Sequence, residues 1–261
     1  MTTTPTDLLI TGATLADGSR SDLYLSGGLI ADPASAPVGV ERFDADGLLA
    51  LPGLVDLHTH LREPGREDAE TVDSGTAAAA RGGFTCVHAM ANTNPVTDTA
   101  EAAEYVAGLG QREGHCEVRV VGAVTKGLAG EELAELGLMA NSGARVRVFS
   151  DDGRCVGDSQ LMRRALSYVR SFDGVVAQHS QDTQLAGPGA CCHESEWSGR
   201  LGLPGWPSQA ESVIVARDVQ LAELTDSRIH VCHVSTAESV DIVRWAKKRG
   251  IKVTAEATPH H

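Results

Sequence analysis

Short apolar runs alternate with longer stretches rich in Ala, Glu and Leu through most of the chain. The short runs predict β-strands, and the longer stretches predict helices. Strands that alternate with helices pair in parallel, because each helical crossover returns the chain to the same end of the sheet. The predicted strands are residues 53–57, 84–89, 117–122, 145–149, 174–177, 228–232 and 251–255, and the predicted helices are residues 68–81, 99–109, 131–139, 160–172, 210–224 and 237–249.

The number of these strand–helix units indicates the fold class. About seven units of roughly 30 residues suit a (β/α)8 TIM-type barrel better than a short open sheet, and the eighth unit of such a barrel is not in the sequence. A doubly wound sheet is the structural alternative. We therefore predict an α/β barrel in residues 52–261 that is incomplete at its C-terminus.

Residues 7–50 have a different pattern, in which short apolar or alternating runs are separated by Gly, Asp and Ser. This pattern predicts a small β unit. Such a unit is too small to bury a core alone, so we expect it to pack with strands from elsewhere. We assign residues 1–51 to this N-terminal unit.

Residues 180–209 form a long interval that reads as irregular. A connection of this length within a compact fold is usually functional or mobile. Because the interval follows a predicted strand, we expect it on the face of the barrel that carries active sites.

Charge and composition exclude several classes of protein. Lys and Arg number 22 against 35 Asp and Glu, which gives a formal charge of −13 and argues against a nucleic-acid binder. This balance does not exclude a small anionic substrate, since one or two arginines suffice to hold a carboxylate. No apolar stretch has the length of a membrane span.

The N-terminus and the cysteines indicate a cytoplasmic protein. The opening residues MTTTPTDLLITG have neither the basic region nor the long apolar run of a signal peptide. Six scattered cysteines without a C-x-x-C pair argue against a disulfide framework or a zinc knuckle. Cys86 and Cys232 lie in predicted strands and are interpreted as small core residues.

Polar side chains cluster where the predicted strands end. His58 and His60 end the first strand, and their alternation directs both side chains to the same side. The carboxyl ends of barrel strands meet at one mouth, so residues distant in sequence are expected to come together there. The other strand-end candidates are Asp152, His179 and His233.

Four imidazoles and one carboxylate at a barrel mouth form a suitable set of ligands for a divalent metal. Imidazole nitrogen and carboxylate oxygen suit zinc, with manganese, cobalt or nickel as substitutes. A bridging carboxylate would place two metals close together, which is the arrangement of two-metal hydrolases.

Each of these residues also has an ordinary structural interpretation. A single histidine is more often a surface or core residue than a ligand, and H-x-H alone is a weak motif. The coincidence of H-x-H with two further strand-end histidines favours the metal site. We interpret four of the other histidines as structural or solvent-exposed, namely His88, His115, His193 and His230. Asp151-Asp152-Gly153 reads equally as a turn signal, and its alignment with the histidines favours a ligand.

Arg62 and Asn92 are candidates for substrate binding. Arg62 lies two residues beyond His60 on the same side of the chain, where its guanidinium can form a bidentate bond with a carboxylate. The alternative for Arg62 is a surface charge. Asn92 lies in a stretch, Asn92-Thr93-Asn94-Pro95, that also has the composition of an ordinary turn.

The motifs VDLHTHLREPG, MANTNP, FSDDG, HVCHVSTAES and VTAEATPHH resemble those of dihydroorotases of the bacterial class I type, in the amidohydrolase superfamily. The resemblance covers nearly the whole chain, with the motifs in family order. It implies reversible cyclisation of N-carbamoyl-L-aspartate to L-dihydroorotate in pyrimidine synthesis. In the hydrolytic direction it implies attack of a metal-activated hydroxide on the cyclic amide. It also implies that the N-terminal β unit belongs to a small β-sandwich domain.

Carried over residue by residue, the resemblance implies a zinc site of one or two ions. The implied metal ligands are His58, His60, Asp152, His179 and His233, with Asp152 as the bridge between metals. Many relatives bridge with a carboxylated lysine, and the strand VRVFSDDG has no lysine at its end. His60, Arg62 and Asn92 match residues that bind the substrate.

Two departures from the family pattern accompany the resemblance. The sequence stops at His261, before the eighth strand, whose aspartate the family uses as metal ligand and general base. We therefore expect a fragment or partial record, which is inactive if that aspartate is absent. The second departure is Ser-Gln-Asp after His179, where many relatives have Cys-Glu-Asp, and we expect it to be tolerated.

The resemblance leaves alternatives for function and partners. Another cyclic amidohydrolase of the hydantoinase or allantoinase type is the nearest alternative, and the missing lysine and Arg62 favour the dihydroorotase. A non-catalytic, dihydroorotase-like scaffold for aspartate carbamoyltransferase is a second alternative. The expected partner is a small-molecule substrate, with no nucleic acid and no membrane, and the resemblance leaves open a homodimer and association with aspartate carbamoyltransferase.

Overall fold

In the computed structural model, which describes residues 6–261, the chain forms two compact units. The first unit ends at Gly53 and the second runs from Leu54 to His261. The predicted absence of a signal peptide rests partly on residues 1–5, which lie outside the described residues. The strands of the first unit are β1 (Leu8–Leu15), β2 (Arg20–Ser26), β3 (Leu29–Ala31), β4 (Glu41–Asp44) and β5 (Leu49–Ala50).

These five strands form one sheet. Its order is β3-β2-β1-β4, and β5 pairs with β1 beyond the end of β4. β2 is antiparallel to both of its neighbours, whereas β4 and β5 run parallel to β1. The predicted small β unit therefore exists as a sheet, and its assignment to a β-sandwich domain stays a prediction.

The second unit is built on a parallel sheet of seven strands. In this sheet each strand pairs with the next along the chain, without a reversal of order. A doubly wound sheet reverses its strand order at a switch point, so that alternative is excluded. The strands are β6 (Leu54–Thr59), β7 (Phe84–Ala89), β8 (Glu117–Gly122), β9 (Val148–Phe149), β10 (Val175–Gln178), β13 (Arg228–Val231) and β14 (Val253–Ala255), and a separate pair is formed by β11 (Cys192–His193) and β12 (Gly205–Trp206).

Helices connect the strands and begin where the sequence provides caps. In residues 6–261, six of the eight helices start after a Ser, Thr or Asp whose side chain accepts a backbone N–H of the first turn. The helices are α1 (Val72–Arg81), α2 (Ala100–Glu113), α3 (Leu136–Asn141), α4 (Ser159–Arg170), α5 (Thr183–Ala186), α6 (Glu196–Leu201), α7 (Gln209–Thr225) and α8 (Ala237–Lys248).

Two predicted segments differ from the structure. The helix predicted at 131–139 begins only at Leu136, because the preceding residues pair with the segment after β8. Lys126 N–H donates to the Glu132 carbonyl, and Ala134 N–H donates to the Val124 carbonyl. The interval 180–209 is not irregular throughout, since Asp182 and Ser195 cap α5 and α6, and β11 pairs with β12.

The main core lies between the parallel sheet and its helices, and Phe149 is among its largest fully buried side chains. Its ring packs edge-on against Phe172, with 5.9 Å between centroids. A second, smaller cluster of buried side chains is formed by Met90, Val121, Ala177 and Cys232. The predicted core positions of Cys86 and Cys232 are confirmed, since both side chains are buried and unbridged.

Within the part of the chain that the structure describes, no helix combines the length and the apolar character needed to cross a bilayer.

Phe149→Ala is expected to lower the free energy of unfolding by about 3–5 kcal/mol, because it leaves a cavity at a fully buried position. Chemical denaturation measures this loss. Tyr105→Ala is the control, since it removes an aromatic ring from an exposed position on α2 and should change the free energy by only about 0.5 kcal/mol. Equal losses in the two variants would contradict the placement of the core.

Candidate metal centre

The parallel strands place their polar ends at one edge of the sheet. His58 lies in β6 and His60 directly after it, while His179 directly follows β10. Asp152 lies three residues beyond β9, and His233 lies two residues beyond β13. The structure brings all five residues together, although β6 and β13 are at distant positions in the sheet.

The carboxylate of Asp152 lies at the centre of this cluster. Its Oδ2 is 3.3 Å from Nε2 of His58 and 3.3 Å from Nε2 of His60. Its Oδ1 is 3.1 Å from Nδ1 of His179 and 3.0 Å from Nε2 of His233. Each carboxylate oxygen thus contacts one pair of imidazoles, and the Asp152 side chain is only 6% exposed.

Three of the four imidazoles contact a second oxygen through their other ring nitrogen. Nδ1 of His58 is 2.7 Å from Oε1 of Glu256, and Nδ1 of His60 is 2.9 Å from Oδ1 of Asn92. Nε2 of His179 is 2.9 Å from Oε1 of Gln181. These outer contacts fix the orientation of each ring.

The outer contacts determine what the inner nitrogens can do. A neutral imidazole has one N–H donor and one acceptor lone pair. When its N–H is used by the outer oxygen, the inner nitrogen directs a lone pair towards the Asp152 carboxylate. A cation between these lone pairs and the carboxylate removes that repulsion, so the donor set fits a divalent metal.

The pKa values also show that the Asp152 carboxylate requires positive charge on the groups around it. Burial lowers the pKa of His58, but hydrogen bonds to Asp152, Cys232 and Glu256 outweigh burial and raise this pKa to about 12. Burial would raise the pKa of Asp152, but hydrogen bonds with His179, His233, His58 and His60 hold it far below its usual range. Positive charge beside the Asp152 carboxylate, such as a proton on His58, therefore stabilises the cluster.

Asp151, the neighbour of Asp152, has a structural role. It is buried, and its Oδ1 accepts the backbone N–H groups of Val124 and Thr125 at 2.8 and 3.0 Å. Its Oδ2 accepts the Thr125 hydroxyl. Burial raises the pKa of Asp151 in spite of these bonds. These contacts tie the end of β9 to the segment after β8 and so position Asp152.

A second network supports His179 and the segment after Asp152. The Gln178 side chain makes two 3.3 Å hydrogen bonds with the backbone of Val156. Arg217 of α7 donates to the carbonyl groups of Val156 and Gly157 at 2.8 and 2.6 Å. Arg217 also forms an ion pair at 2.7 Å with the buried Asp218, whose pKa burial raises to about 6.

The predicted substrate-binding residues have different surroundings. Asn92 is part of the cluster through His60, and its amide NH₂ is left available. Arg62 is exposed and has a positive φ of 62°, and within residues 6–261 its side chain forms no ion pair with the carboxylates of the cluster. A cleft of about 480 Å³ opens beside His179 and His233, and its other lining residues include His193 and Trp206 of the 180–209 interval.

Glu256 and Gln181 contact the cluster, and neither is among the predicted site residues. Glu256 directly follows β14, so its position at a strand end was the available signal. Its carboxylate also contacts His230, with Oε2 at 3.1 Å from Nε2. His230 is buried and His115 is solvent-exposed, paired with Asp73, as expected for histidines outside the metal set.

Known proteins resemble this chain in sequence and in fold. The dihydro-orotase-like family matches residues 47–239. A dihydroorotase of Leifsonia xyli is 64% identical over 255 residues, which cover 97% of this chain and 58% of the relative. A dihydroorotase of Streptomyces coelicolor is 58% identical, over 97% of this chain and 59% of the relative. The chain thus spans somewhat more than half the length of these relatives.

A solved structure shows the same fold. The L-hydantoinase (dihydropyrimidinase) from Arthrobacter aurescens superposes with a TM-score of 0.80 at 19% identity, over 98% of this chain and 59% of that one. This likeness confirms the predicted TIM-type barrel. Since the family match extends over more than half of its residues, the chain belongs to the dihydro-orotase-like family.

Proposed function

We propose that the cluster around Asp152 binds divalent metal and that the protein is a zinc-dependent cyclic amide hydrolase, a dihydroorotase. The observation that carries this proposal is that each oxygen of the Asp152 carboxylate contacts two imidazoles. The side chains therefore form two groups of possible ligands that share Asp152. The similarity to curated dihydroorotases supports the choice of reaction.

The two ligand groups would accommodate up to two metal ions. His58 and His60 with Oδ2 of Asp152 would hold one ion, and His179 and His233 with Oδ1 would hold the other. Zinc suits this mixture of imidazole nitrogen and carboxylate oxygen. When bound, the metals would polarise a carbonyl and lower the pKa of a water molecule.

Arg62 and Asn92 would bind the substrate carboxylate and ring. Among residues 6–261, no carboxylate forms an ion pair with Arg62, whereas the nearby Arg66 is paired with Asp68 at 3.2 Å. A guanidinium without an internal partner is suited to a bidentate bond with a substrate carboxylate. The NH₂ group of Asn92 remains a donor while its Oδ1 orients His60.

Proton transfer needs a further group. At the cluster, the Asp152 carboxylate is engaged by four histidines, and the Glu256 carboxylate is engaged by His58 and His230. We infer that the proton is accepted by a carboxylate outside this described cluster, in agreement with the aspartate that the family resemblance implies. Turnover by the expressed protein therefore tests whether such a group is present.

Three predictions from the sequence do not enter this proposal, namely a cytoplasmic location, a homodimer and association with aspartate carbamoyltransferase. They stay predictions.

Zinc is expected to raise the Tm of the chain more at about pH 8 than at about pH 6. The pKa of His58 in the metal-free fold is about 12, above the ~6.5 of an unfolded histidine, so its stabilising contribution is full below ~6.5 and is lost as pH rises towards 12. Zinc must displace this proton, and it does so more easily as pH rises. Thermal melts with and without zinc measure the effect.

The control for zinc binding is Asp152→Asn, which removes the bridging charge at nearly constant volume. Its Tm should not respond to zinc at either pH. A zinc response equal to that of the unsubstituted chain would contradict the assignment of Asp152 as the bridge.

The expressed protein is expected to hydrolyse dihydroorotate in preference to hydantoin and allantoin. A spectrophotometric assay with each substrate measures this preference. Turnover of hydantoin alone would overturn the proposed reaction, and zinc binding without any turnover would favour the scaffold.

Arg62→Met is expected to raise KM for dihydroorotate by about 10- to 100-fold, since a hydrogen-bonded charge pair contributes about 1.5–3 kcal/mol. Steady-state kinetics give kcat and KM separately. Arg66→Met is the matched control, because Arg66 is exposed in the same loop and already paired with Asp68. Equal KM values for the two variants would exclude Arg62 from the substrate site.

A further inference from the structure

A chain of hydrogen bonds extends from His58 away from Asp152. Nδ1 of His58 is 2.7 Å from Oε1 of Glu256, and Oε2 of Glu256 is 3.1 Å from Nε2 of His230. Nδ1 of His230 is in turn 2.8 Å from the hydroxyl of Thr254. The parallel register of β13 and β14 pairs His230 with Thr254, so this contact is fixed by backbone pairing.

The four hydrogen-bonded side chains, from His58 to Thr254, have defined donor and acceptor roles. An ionised carboxylate only accepts hydrogen bonds, so Glu256 accepts an N–H from His58 at one oxygen and from His230 at the other. His230 then has a lone pair at Nδ1, which accepts the Thr254 hydroxyl. The side chains of His58, Glu256 and His230 are only 13%, 17% and 11% exposed, so water competes weakly for these bonds.

We infer that Glu256 is a positioning residue, which holds His58 with its proton on Nδ1 and its Nε2 lone pair directed at the metal, and that His230 and Thr254 hold Glu256. This inference rests on the metal site proposed above. A carboxylate behind a metal-binding histidine fixes its tautomer and ring orientation and raises its basicity as a ligand.

A metal site separate from Asp152 is the alternative role for His58 and Glu256. Together with Cys232, these two residues lie close enough to hold an ion. However, the 2.7 Å contact between His58 and Glu256 is a direct hydrogen bond and leaves no space for an ion between them.

The test is the zinc affinity of the 261-residue chain, measured by competition with a chromophoric chelator. Glu256→Gln keeps the volume of the side chain but presents an amide NH₂ to one of the two imidazole N–H groups. We expect the zinc Kd to rise by about 10- to 100-fold. Asp73→Asn is the matched control, because it removes a carboxylate from the exposed His115, and its zinc Kd should be unchanged.

NMR of the zinc-loaded chain provides a readout that a purely structural role would not change. In the unsubstituted chain the Nδ1–H proton of His58 should give a low-field resonance protected from exchange, and Glu256→Gln should abolish it. His230→Gln is a second variant in case the first fails to fold. It leaves the bond from His58 to Glu256 in place, so its zinc Kd should rise by less than the 10- to 100-fold expected for Glu256→Gln.

The outcomes separate this inference from the proposed function. If the unsubstituted chain does not bind zinc, the proposed metal site fails. If that chain binds zinc and Glu256→Gln binds it equally well with the low-field resonance retained, only the positioning role of Glu256 is overturned. Loss of thermal stability in metal-free Glu256→Gln, with an unchanged zinc Kd, would likewise reduce Glu256 to a structural residue.

Discussion

The contact of one buried carboxylate with four imidazoles is the constraint on which the rest of the site depends. Asp152 cannot be replaced by a neutral residue without leaving four ring nitrogens directed at one another, and the rings cannot turn away because three are held by outer oxygens. A buried charge of this kind is stable only when it is compensated on all sides. The barrel meets this requirement by placing a compensating group at the end of each contributing strand.

The positions of the strands and of the clustered residues were largely predictable from sequence. Parallel strands end at one edge, so a histidine or aspartate at the end of an apolar run is expected near the others. Phe84–Ala89 and Glu117–Gly122 have the predicted bounds. The assignment of the cluster as a metal site stays a prediction, although the geometry of Asp152 supports it.

Other features depend on pairings that a single sequence does not contain. Residues 131–135 have helical composition, yet their backbone groups bond to the segment after β8. The interval 180–209 appeared irregular, yet Asp182 and Ser195 cap two short helices within it. The strand-end position of Glu256 was visible in the sequence, but its contact with His58 was not, because the two residues are 198 positions apart.

The hydrogen bond from His58 to Glu256 joins the two outermost strands of the seven-stranded sheet, β6 and β14, which have no backbone pairing with each other. Closing a loop of this length costs conformational entropy, which the pairing of the intervening strands must offset. The same strand pairing that curls the sheet therefore also brings Glu256 to His58 and sets the direction of this imidazole.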